Sequence, residues 1–412
     1  MAEREKERLA ASAPESLPLG PELELELREH EEEEDDELQD QVSGLQALLA
    51  DRRKVASGIL LVLLLVVAIY VVFPKLLGFD EAVERLDNAV WYWVLLAVLF
   101  NVGAFVAYVA LFRGVLGGLH DDMVRRRLDA RASYEITMAG LAATRIFSAA
   151  GAGGIAVTYW ALRKAGMPRR RSACRMVAFL VLTYSVYTIA LLVFGVLLRA
   201  HVLPGNAPVG GTIVPAAVAG VIMVVFLLIA LVPEDLERRI DAYGRGYRRT
   251  RLVRKLAKAP ATIGTGTRTA IAYVRHPRRG ALALAGAVGF WAFNIAVLWA
   301  SFEAFGGDVP FAVLVQGFFV GMAANLIPSP AGGVGSVDAG MIAAFVLFGI
   351  PKEVVFPAVL MYRVIAFWLP IPPGIVAYFQ LRRRVAGWDR EKAGNPAPRV
   401  YTSESKVRAE AH

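Results

Sequence analysis

Residues 327–338 read Ile-Pro-Ser-Pro-Ala-Gly-Gly-Val-Gly-Ser-Val-Asp and interrupt an apolar segment that runs from about 311 to 350. Their two prolines and three glycines are incompatible with a regular helix. Lipid cannot hydrogen-bond the backbone groups that such a break frees, so the break needs protein or water around it. The stretch also carries a carboxylate, Asp338, and an ionisable residue inside a membrane segment indicates a functional site. We therefore predict a re-entrant hairpin with a site beside it.

The composition is that of a membrane protein. The 412 residues are 56% hydrophobic, with a mean hydropathy of +0.48. Apolar runs of about 18 residues or more predict transmembrane helices. The chain is therefore predicted to be an all-α, polytopic membrane protein with about six full spans and two interrupted hairpins. The spans are expected at about 56–74, 89–113, 173–199, 212–232, 281–305 and 354–380, and the hairpins at about 133–162 and 311–350.

Several function classes lack their sequence signatures. The single cysteine, Cys174, excludes an internal disulfide, and the five histidines show no metal-ligand spacing. No G-x-x-x-x-G-K loop, nucleophile elbow or His-Glu-x-x-His motif occurs. No nucleic-acid module is recognisable, and the basic residues lie in loops beside spans, where phospholipid is the nearer polyanion. We therefore predict a non-enzymatic protein without cofactor, metal or nucleic-acid partner, whose partners are anionic membrane lipids.

The charged residues divide the chain into three parts. Residues 1–54 hold 17 acidic against 7 basic residues and are too polar to bury a core, which predicts a disordered, acidic cytoplasmic tail. A transmembrane domain is expected over 55–385 and a disordered cytoplasmic tail over 386–412. Within the domain, residues 234–280 alternate basic and apolar side chains. They form either a basic helix on an anionic membrane surface or an ordinary cytoplasmic loop.

Basic loops predict the orientation in the membrane. Arg52, Arg53 and Lys54 precede the first span, so the N-terminus is expected in the cytoplasm. Basic clusters flank the segment 133–162 on both sides, so that hairpin is expected to enter and leave on the cytoplasmic face. The remaining basic loops then also fall inside, together with the C-terminus. The chain is therefore expected to be a multi-pass protein of the cell membrane.

A weaker copy of the broken stretch occurs earlier in the chain. A glycine cluster, a Gly-x-Pro and a Leu-x-Tyr occur in this order at 148–154, 166–168 and 182–184, and again at 331–335, 349–351 and 360–362. Paired broken segments predict an inverted repeat, here 89–199 against 281–380. Small residues that merely pack helices together would produce similar clusters. The residues assigned to the two breaks are Gly151, Gly153, Gly154, Pro328, Pro330, Gly332, Gly333 and Gly335.

Few ionisable residues fall within the predicted membrane zone. Arg145, Asp338 and Arg363 are the deepest, whereas Glu135 and Glu303 lie near segment ends. A planar guanidinium offers bidentate hydrogen bonds to phosphate, which suits a lipid head group. Asp338 would pair with an arginine in the empty site or take up a proton; alternatively, the charges only lock helices together. Asn325, like Asn101, Asn294 and Gln316, would either line the site or bridge helices.

The broken stretches resemble a known family. Residues 328–339, the Gly-Ile-Pro at 349–351 and residues 362–374 are similar to motifs of the lysylphosphatidylglycerol synthase transmembrane-region family, a family of flippase-like integral membrane proteins. The stretch 144–154, followed by 162–168, is similar to that family's first glycine-rich motif. The resemblance covers roughly 55–385.

The chain departs from the family pattern at two positions. The family commonly has Glu where this chain has Asp338, and Pro where it has Ser148-Ala149. Bifunctional members continue into a soluble aminoacyl-transferase domain, whereas this chain ends at His412, so the resemblance implies lipid handling without lysyl transfer. We expect binding or translocation of an anionic phospholipid or lipid-linked precursor. The alternative is a non-catalytic membrane subunit that scaffolds or regulates a glycosyltransferase or a lipid-modifying enzyme.

Overall fold

The computed structural model describes residues 90–116, 122–146, 152–230, 250–326 and 333–394. Every regular element in these ranges is helical, which confirms the predicted all-α fold. A 3₁₀ turn, Ala323–Leu326, follows α9, and a π-helical turn, Val364–Trp368, lies between α11 and α12. The helices are α1 (Trp91–Leu116), α2 (Asp122–Arg127), α3 (Ala130–Ile146), α4 (Ala152–Lys164), α5 (Arg169–Arg199), α6 (Ile213–Ala230), α7 (Thr250–Arg275), α8 (Pro277–Ala304), α9 (Phe311–Met322), α10 (Ser336–Leu347), α11 (Lys352–Arg363) and α12 (Ile371–Gly394).

Among the described residues, four helical stretches are long and apolar enough to cross a membrane, as predicted for a polytopic protein. They are α1, α5, most of α8, and the run Lys352–Glu391, which contains α11, the π-helical turn and most of α12. The span predicted at 56–74 lies outside the described residues. The span predicted at 212–232 is α6, whose 18 residues measure about 27 Å, slightly less than a hydrocarbon core of about 30 Å.

Each predicted interrupted segment consists of two helices that pack against each other. In the first segment α3 packs on α4, and in the second α9 packs on α10. Gly333 and Gly335 lie immediately before α10 with φ of +92° and +84°, a conformation that glycine adopts without steric cost. Four of the predicted break residues lie outside the described residues: Gly151, Pro328, Pro330 and Gly332.

Gly153 and Gly154 were predicted to break the first segment, and this is wrong, because both lie in the first turn of α4. Their place in the helix is explained by packing. A Cβ added at Gly154 would lie 2.5 Å from Gly140 O and would collide with the Thr144 hydroxyl. Glycine at this position therefore lets the backbones of α3 and α4 touch, as small residues do between membrane helices.

The second hairpin packs in the same way. A Cβ added at Gly321, on α9, would lie 2.6 Å from Met341 Cα, and one added at Gly340, on α10, would lie 2.9 Å from Gly321 O. The glycines of this hairpin therefore let the backbones of α9 and α10 come into contact as well. Both predicted hairpins therefore have glycines where their two helices touch, although the sequences of their breaks differ.

The contacts between helices follow the pattern that an internal repeat predicts. The first long helices of the two halves, α1 and α8, pack along each other. The first hairpin helix of each half packs on the last long helix of the other half, since α3 contacts α12 and α9 contacts α5. Each half thus completes the packing of the other, and neither forms a separate bundle.

The segment predicted to lie on the membrane surface is helical from Thr250 onward and belongs to α7. The second half of α7 packs on α5: Thr267 and Ala270 are buried, and a Cβ added at Gly266 would lie 2.5 Å from Val177 Cγ1. Arg175 and Tyr273 both bond the carbonyl of Val115, which fixes α5 and α7 to the end of α1. The C-terminal part of this segment is therefore integral to the bundle.

The disordered tail predicted from residue 386 is wrong at its start, because α12 continues to Gly394. Leu381, Val385 and Trp388 recur at helical spacing and are all buried. Beyond them, Asp389 pairs with Lys164 at 3.2 Å and Glu391 pairs with Arg127 at 3.0 Å. Contacts with α2 and α4 therefore extend α12 into residues whose own composition is polar.

Replacing Gly154 with alanine should destabilise the protein, because the added methyl group has no space between α3 and α4. We expect a loss of about 1–3 kcal/mol, as for other overpacked sites, measured as a lower Tm of the purified protein in detergent. Gly220 is the matched control, since a Cβ there meets nothing within 4 Å. Equal Tm values for Gly154→Ala, Gly220→Ala and the original protein would contradict this packing.

The predicted orientation can be tested by labelling single cysteines, because Cys174 is the one native thiol and can be replaced by serine. A membrane-impermeant maleimide applied from outside should label Val202→Cys and Lys352→Cys, which are exposed. It should reach Arg126→Cys and Arg170→Cys only after the membrane is permeabilised. Labelling of both 170 and 352 in intact cells, or of neither, would rule out two hairpins that open to opposite faces, whereas labelling at 170 with protection at 352 would reverse the predicted orientation.

Candidate functional site

The junction between α11 and α12 is the π-helical turn Val364–Trp368. Leu369 N donates to the Val364 carbonyl, five residues back, at 2.9 Å. At the same spacing, the carbonyls of Ile365 and Phe367 would accept from the N–H groups of residues 370 and 372. Both of these residues are prolines and have no N–H. Two carbonyls of this turn therefore lack a backbone donor at that spacing.

Those two carbonyls, of Ile365 and Phe367, accept hydrogen bonds from side chains of the first half of the chain. Asn101 Nδ2, on α1, donates to Ile365 O at 2.8 Å, and Arg145 Nη1, at the end of α3, donates to Phe367 O at 2.6 Å. Such partners are needed because lipid offers no donor to a backbone carbonyl. The prolines thus explain why polar side chains of one half converge on the π-helical turn of the other.

Arg363 ends α11 and forms an ion pair with Asp338, whose Oδ1 lies 2.5 Å from Arg363 Nε. Arg363 Nη2 also donates to Gly333 O at 3.1 Å, and Asp338 Oδ2 accepts a hydrogen bond from Gly335 N at 2.8 Å. Asp338 is the third residue of α10, so its carboxylate caps the N-terminus of that helix. Both side chains of the pair are buried. The Asp338 carboxylate therefore contacts both the N-terminal turn of α10 and the guanidinium of Arg363 at the end of α11.

The ring of Phe367 lies beside both arginines. The guanidinium carbon of Arg363 is 4.3 Å from the ring centroid and that of Arg145 is 5.1 Å away. A cation over an aromatic ring is attracted by the ring's quadrupole. Among the described residues Arg145 forms no ion pair, whereas Arg363 pairs with Asp338. The cluster therefore contains two cations and one carboxylate.

The structure brings together three of the four residues predicted to bind a head group. Arg145 and Arg363 meet at Phe367, and Asp338 joins through Arg363. The fourth, Asn325, is exposed in the 3₁₀ turn after α9. A Cβ added at Gly333 would lie 2.7 Å from Asn325 Oδ1, so Asn325 borders the glycine turn that Arg363 contacts.

Two other polar residues singled out from the sequence connect separate elements, whereas Asn294 donates to Phe290 O of its own helix. Asn101 bonds the π-helical turn, and Gln316 Nε2 on α9 donates to Gly211 O at 2.9 Å. Sequence reasoning missed Phe367, which carries no charge and lies in an apolar run. The prolines three and five residues after it were the available signal, because they deprive its turn of donors.

A second charge cluster, whose carboxylate is buried, joins α3 to α12. Glu135, on α3, is 1% exposed and accepts two hydrogen bonds from Arg384 of α12, at 2.7 Å and 2.9 Å. Arg131 approaches the same carboxylate at 3.3 Å. Sequence analysis placed Glu135 near a segment end, and its partners show that it binds the first hairpin to α12.

A family model described as the lysylphosphatidylglycerol synthase TM region matches residues 57–374 and so includes the whole cluster around Phe367. The chain is also similar to two proteins named "UPF0104 membrane protein" from Methanothermobacter thermautotrophicus (strain Delta H). It is 31% identical to one over 87 residues and 28% identical to the other over 86 residues. Each alignment spans 21% of this chain and 26% of the relative's length. With most of its length matched by the family model, this chain belongs to the lysylphosphatidylglycerol synthase transmembrane-region family.

Proposed function

We propose that this protein binds an anionic phospholipid or lipid-linked precursor and moves it across the cytoplasmic membrane, without a catalytic step of its own. The observation that carries the proposal is the cluster at Phe367. There, two guanidiniums from opposite halves of the chain meet while a single carboxylate, Asp338, accompanies them. The family's description, which names a lipid synthase, supports a lipid as the ligand.

An anionic head group would neutralise the excess positive charge of the cluster at Phe367. A charge inside a membrane domain is costly unless it is paired or hydrated, and such residues mark substrate pathways. Guanidinium is suited to phosphate because its N–H groups match two phosphate oxygens at once. Arg145 is only partly buried, whereas Arg363 is 4% exposed. An incoming head group would therefore meet Arg145 first.

The helical hairpins offer a route for the movement. Both hairpins end beside the cluster, since Arg145 is near the end of α3 and Asp338 is in the first turn of α10. In transporters with two inverted halves, substrate sites lie where broken segments of the two halves meet. We place both termini in the cytoplasm, so that the two hairpins open to opposite faces.

A second candidate function is supported by the ion pair itself. Arg363 and Asp338 are buried and in direct contact, as expected if the charges only lock α10 to α11. The protein would then be a non-catalytic membrane subunit that scaffolds or regulates a glycosyltransferase or a lipid-modifying enzyme. Arg145 distinguishes the translocase from the scaffold, because within the described residues it forms no ion pair that would join two helices.

Replacing Arg145 with glutamine should abolish head-group transfer while the protein stays folded. Glutamine keeps an amide N–H donor at this position, on a shorter side chain, but it removes the charge that attracts phosphate. The measurement is transfer of a fluorescent anionic phospholipid in reconstituted vesicles, with Tm as the check on folding. Arg170→Gln, at an exposed position, is the control and should transfer normally. Full transfer by Arg145→Gln would remove this arginine from the function.

The ion pair can be tested by replacing both partners. Arg363→Ala alone should cost about 3–5 kcal/mol, because it leaves the buried Asp338 unpaired. Asp338→Leu combined with Arg363→Met should restore much of that stability but not transfer, since the phosphate-binding fork is gone. Arg363→Lys should restore transfer poorly for the same reason.

The matched control for the double replacement is Glu135→Leu with Arg384→Met, which removes an ion pair between a buried carboxylate and a partly exposed arginine outside the cluster. This control should retain transfer. A stable Asp338→Leu, Arg363→Met protein with unchanged transfer would show that the pair is only a lock, and would favour the scaffold.

A further inference from the structure

Polar contacts join α3 to the last part of the chain at two separate places. Toward the end of α3, Arg145 donates to Phe367 O, in the turn that precedes α12. Ten positions earlier in the chain, about 15 Å along the helix, Glu135 accepts two hydrogen bonds from Arg384 of α12. The cluster at Phe367 and the pair at Glu135 are therefore connected through one helix.

Between these two places the backbones of α3 and α12 touch. A Cβ added at Gly374 would lie 2.8 Å from Met138 O and 2.6 Å from Ala142 Cβ. Met138 and Ala142 come between Glu135 and Arg145 in the chain. The two helices therefore meet at a residue that has no side chain to interlock them.

Two further ion pairs lie beyond Arg384 on α12. Asp389 Oδ2 is 3.2 Å from Lys164 Nζ, at the end of α4, and Glu391 Oε2 is 3.0 Å from Arg127 Nη2, on α2. The side chains of Lys164 and Asp389 are 35% and 48% exposed, and that of Glu391 is 67% exposed. Exposed ion pairs contribute little net free energy, because water solvates both charges when the pair separates. These contacts can therefore open and re-form at little cost.

The equivalent contact in the other half of the chain is of a different kind. There α9 packs on α5, and the sequence of α9 contains no ionisable side chain. The rings of Phe194 and Phe311 lie 5.9 Å apart, and Tyr187 donates to Phe319 O at 2.6 Å. An ion pair therefore cannot join α9 to α5, and the two contacts are not equally easy to separate.

From this difference we propose that three ion pairs form a cytoplasmic clamp, which closes the lipid site toward the inner leaflet. The clamp opens when α2, α3 and α4 swing away from α12 about the contact at Gly374. The inference rests on the proposed function and names how access to its site is controlled. The clamp consists of Glu135–Arg384, Lys164–Asp389 and Arg127–Glu391.

Opening the clamp gives its charges water in place of their partners. Glu135 is 1% exposed when the clamp is closed, and a buried carboxylate needs either a paired cation or water. The same swing moves Arg145, because it lies on α3 beyond the contact at Gly374. Arg145 then leaves Phe367 O and becomes available to a head group. Removal of one whole ion pair only makes this opening easier, so it leaves transfer intact.

The first test locks the clamp with a reversible crosslink in the full-length protein. In a Cys174→Ser background, Lys164→Cys and Asp389→Cys are joined by a short, reducible bis-methanethiosulfonate. We expect transfer of a fluorescent anionic phospholipid to fall about tenfold or more, since a gate that cannot open stops turnover. Reducing the crosslink should restore transfer. A long, flexible reagent on the same two cysteines is the matched control and should leave transfer at the level of the unlinked protein.

Two results of this test would contradict the clamp. Transfer at the unlinked rate by the protein that carries the short crosslink would show that α4 and α12 need not separate. Equal loss with the short and the long reagent would show that the modification, and not the constraint, stops transfer.

The second test follows the clamp without any lipid. Val385, which follows Arg384 on α12 and is 3% exposed, is replaced by cysteine in the Cys174→Ser background. Its labelling by a soluble maleimide is then timed in detergent. Lys164→Glu repels Asp389 and should speed labelling about threefold or more, the scale set by one exposed ion pair. Exchanging the charges, as Lys164→Glu with Asp389→Lys, should return the rate to that of the parent.

The matched control is Arg170→Glu, which makes the same change of total charge at an exposed position of α5 and should not alter the rate. One labelling rate in all of these proteins, or equal acceleration by Arg170→Glu, would overturn the clamp even where lipid transfer is normal. Labelling that follows the charges of the clamp, in a protein that transfers no lipid, would support the movement but overturn the proposed function.

Discussion

The arrangement of this protein depends on one constraint: a backbone carbonyl inside a membrane domain must find its donor within the protein. Pro370 and Pro372 remove donors from the turn between α11 and α12, and the first half of the chain supplies the replacements. Asn101 and Arg145 reach across to Ile365 O and Phe367 O. Side chains of the first half thereby supply the donors that the second half lacks. One of these side chains is the cation Arg145, which lies where the two halves meet.

Asp338 connects this junction to the broken hairpin. Its carboxylate caps the start of α10 through Gly335 N and pairs with Arg363 at the end of α11. A movement of the second hairpin would therefore change the surroundings of Arg363, and a ligand at Arg363 would act on the hairpin. The contacts of Asp338 therefore couple the start of α10 to the end of α11.

The charge cluster also explains why one site supports two readings of function. The Asp338–Arg363 pair alone would be an ordinary lock between helices, and buried ion pairs are weak evidence for anything more. Arg145 differs from this pair, because within the described residues it forms no ion pair with a carboxylate and it is only partly buried. A single carbonyl can be satisfied by a neutral donor, whereas an arginine also offers a charged, bidentate fork that suits phosphate.

The sequence by itself determined the membrane class, the helical hairpins and the three ionisable residues, because hydropathy, helix breakers and intramembrane charge are local properties. It misplaced the break at Gly153 and Gly154 and the end of α12, since glycine serves both for turns and for close packing, and since Trp388 and Asp389 are ordered by contacts with other helices. Only the tertiary structure decided that Arg145 and Arg363, 218 positions apart in sequence, share the ring of Phe367. No periodicity encodes that meeting, because it arises from the packing of two halves that are distant along the chain.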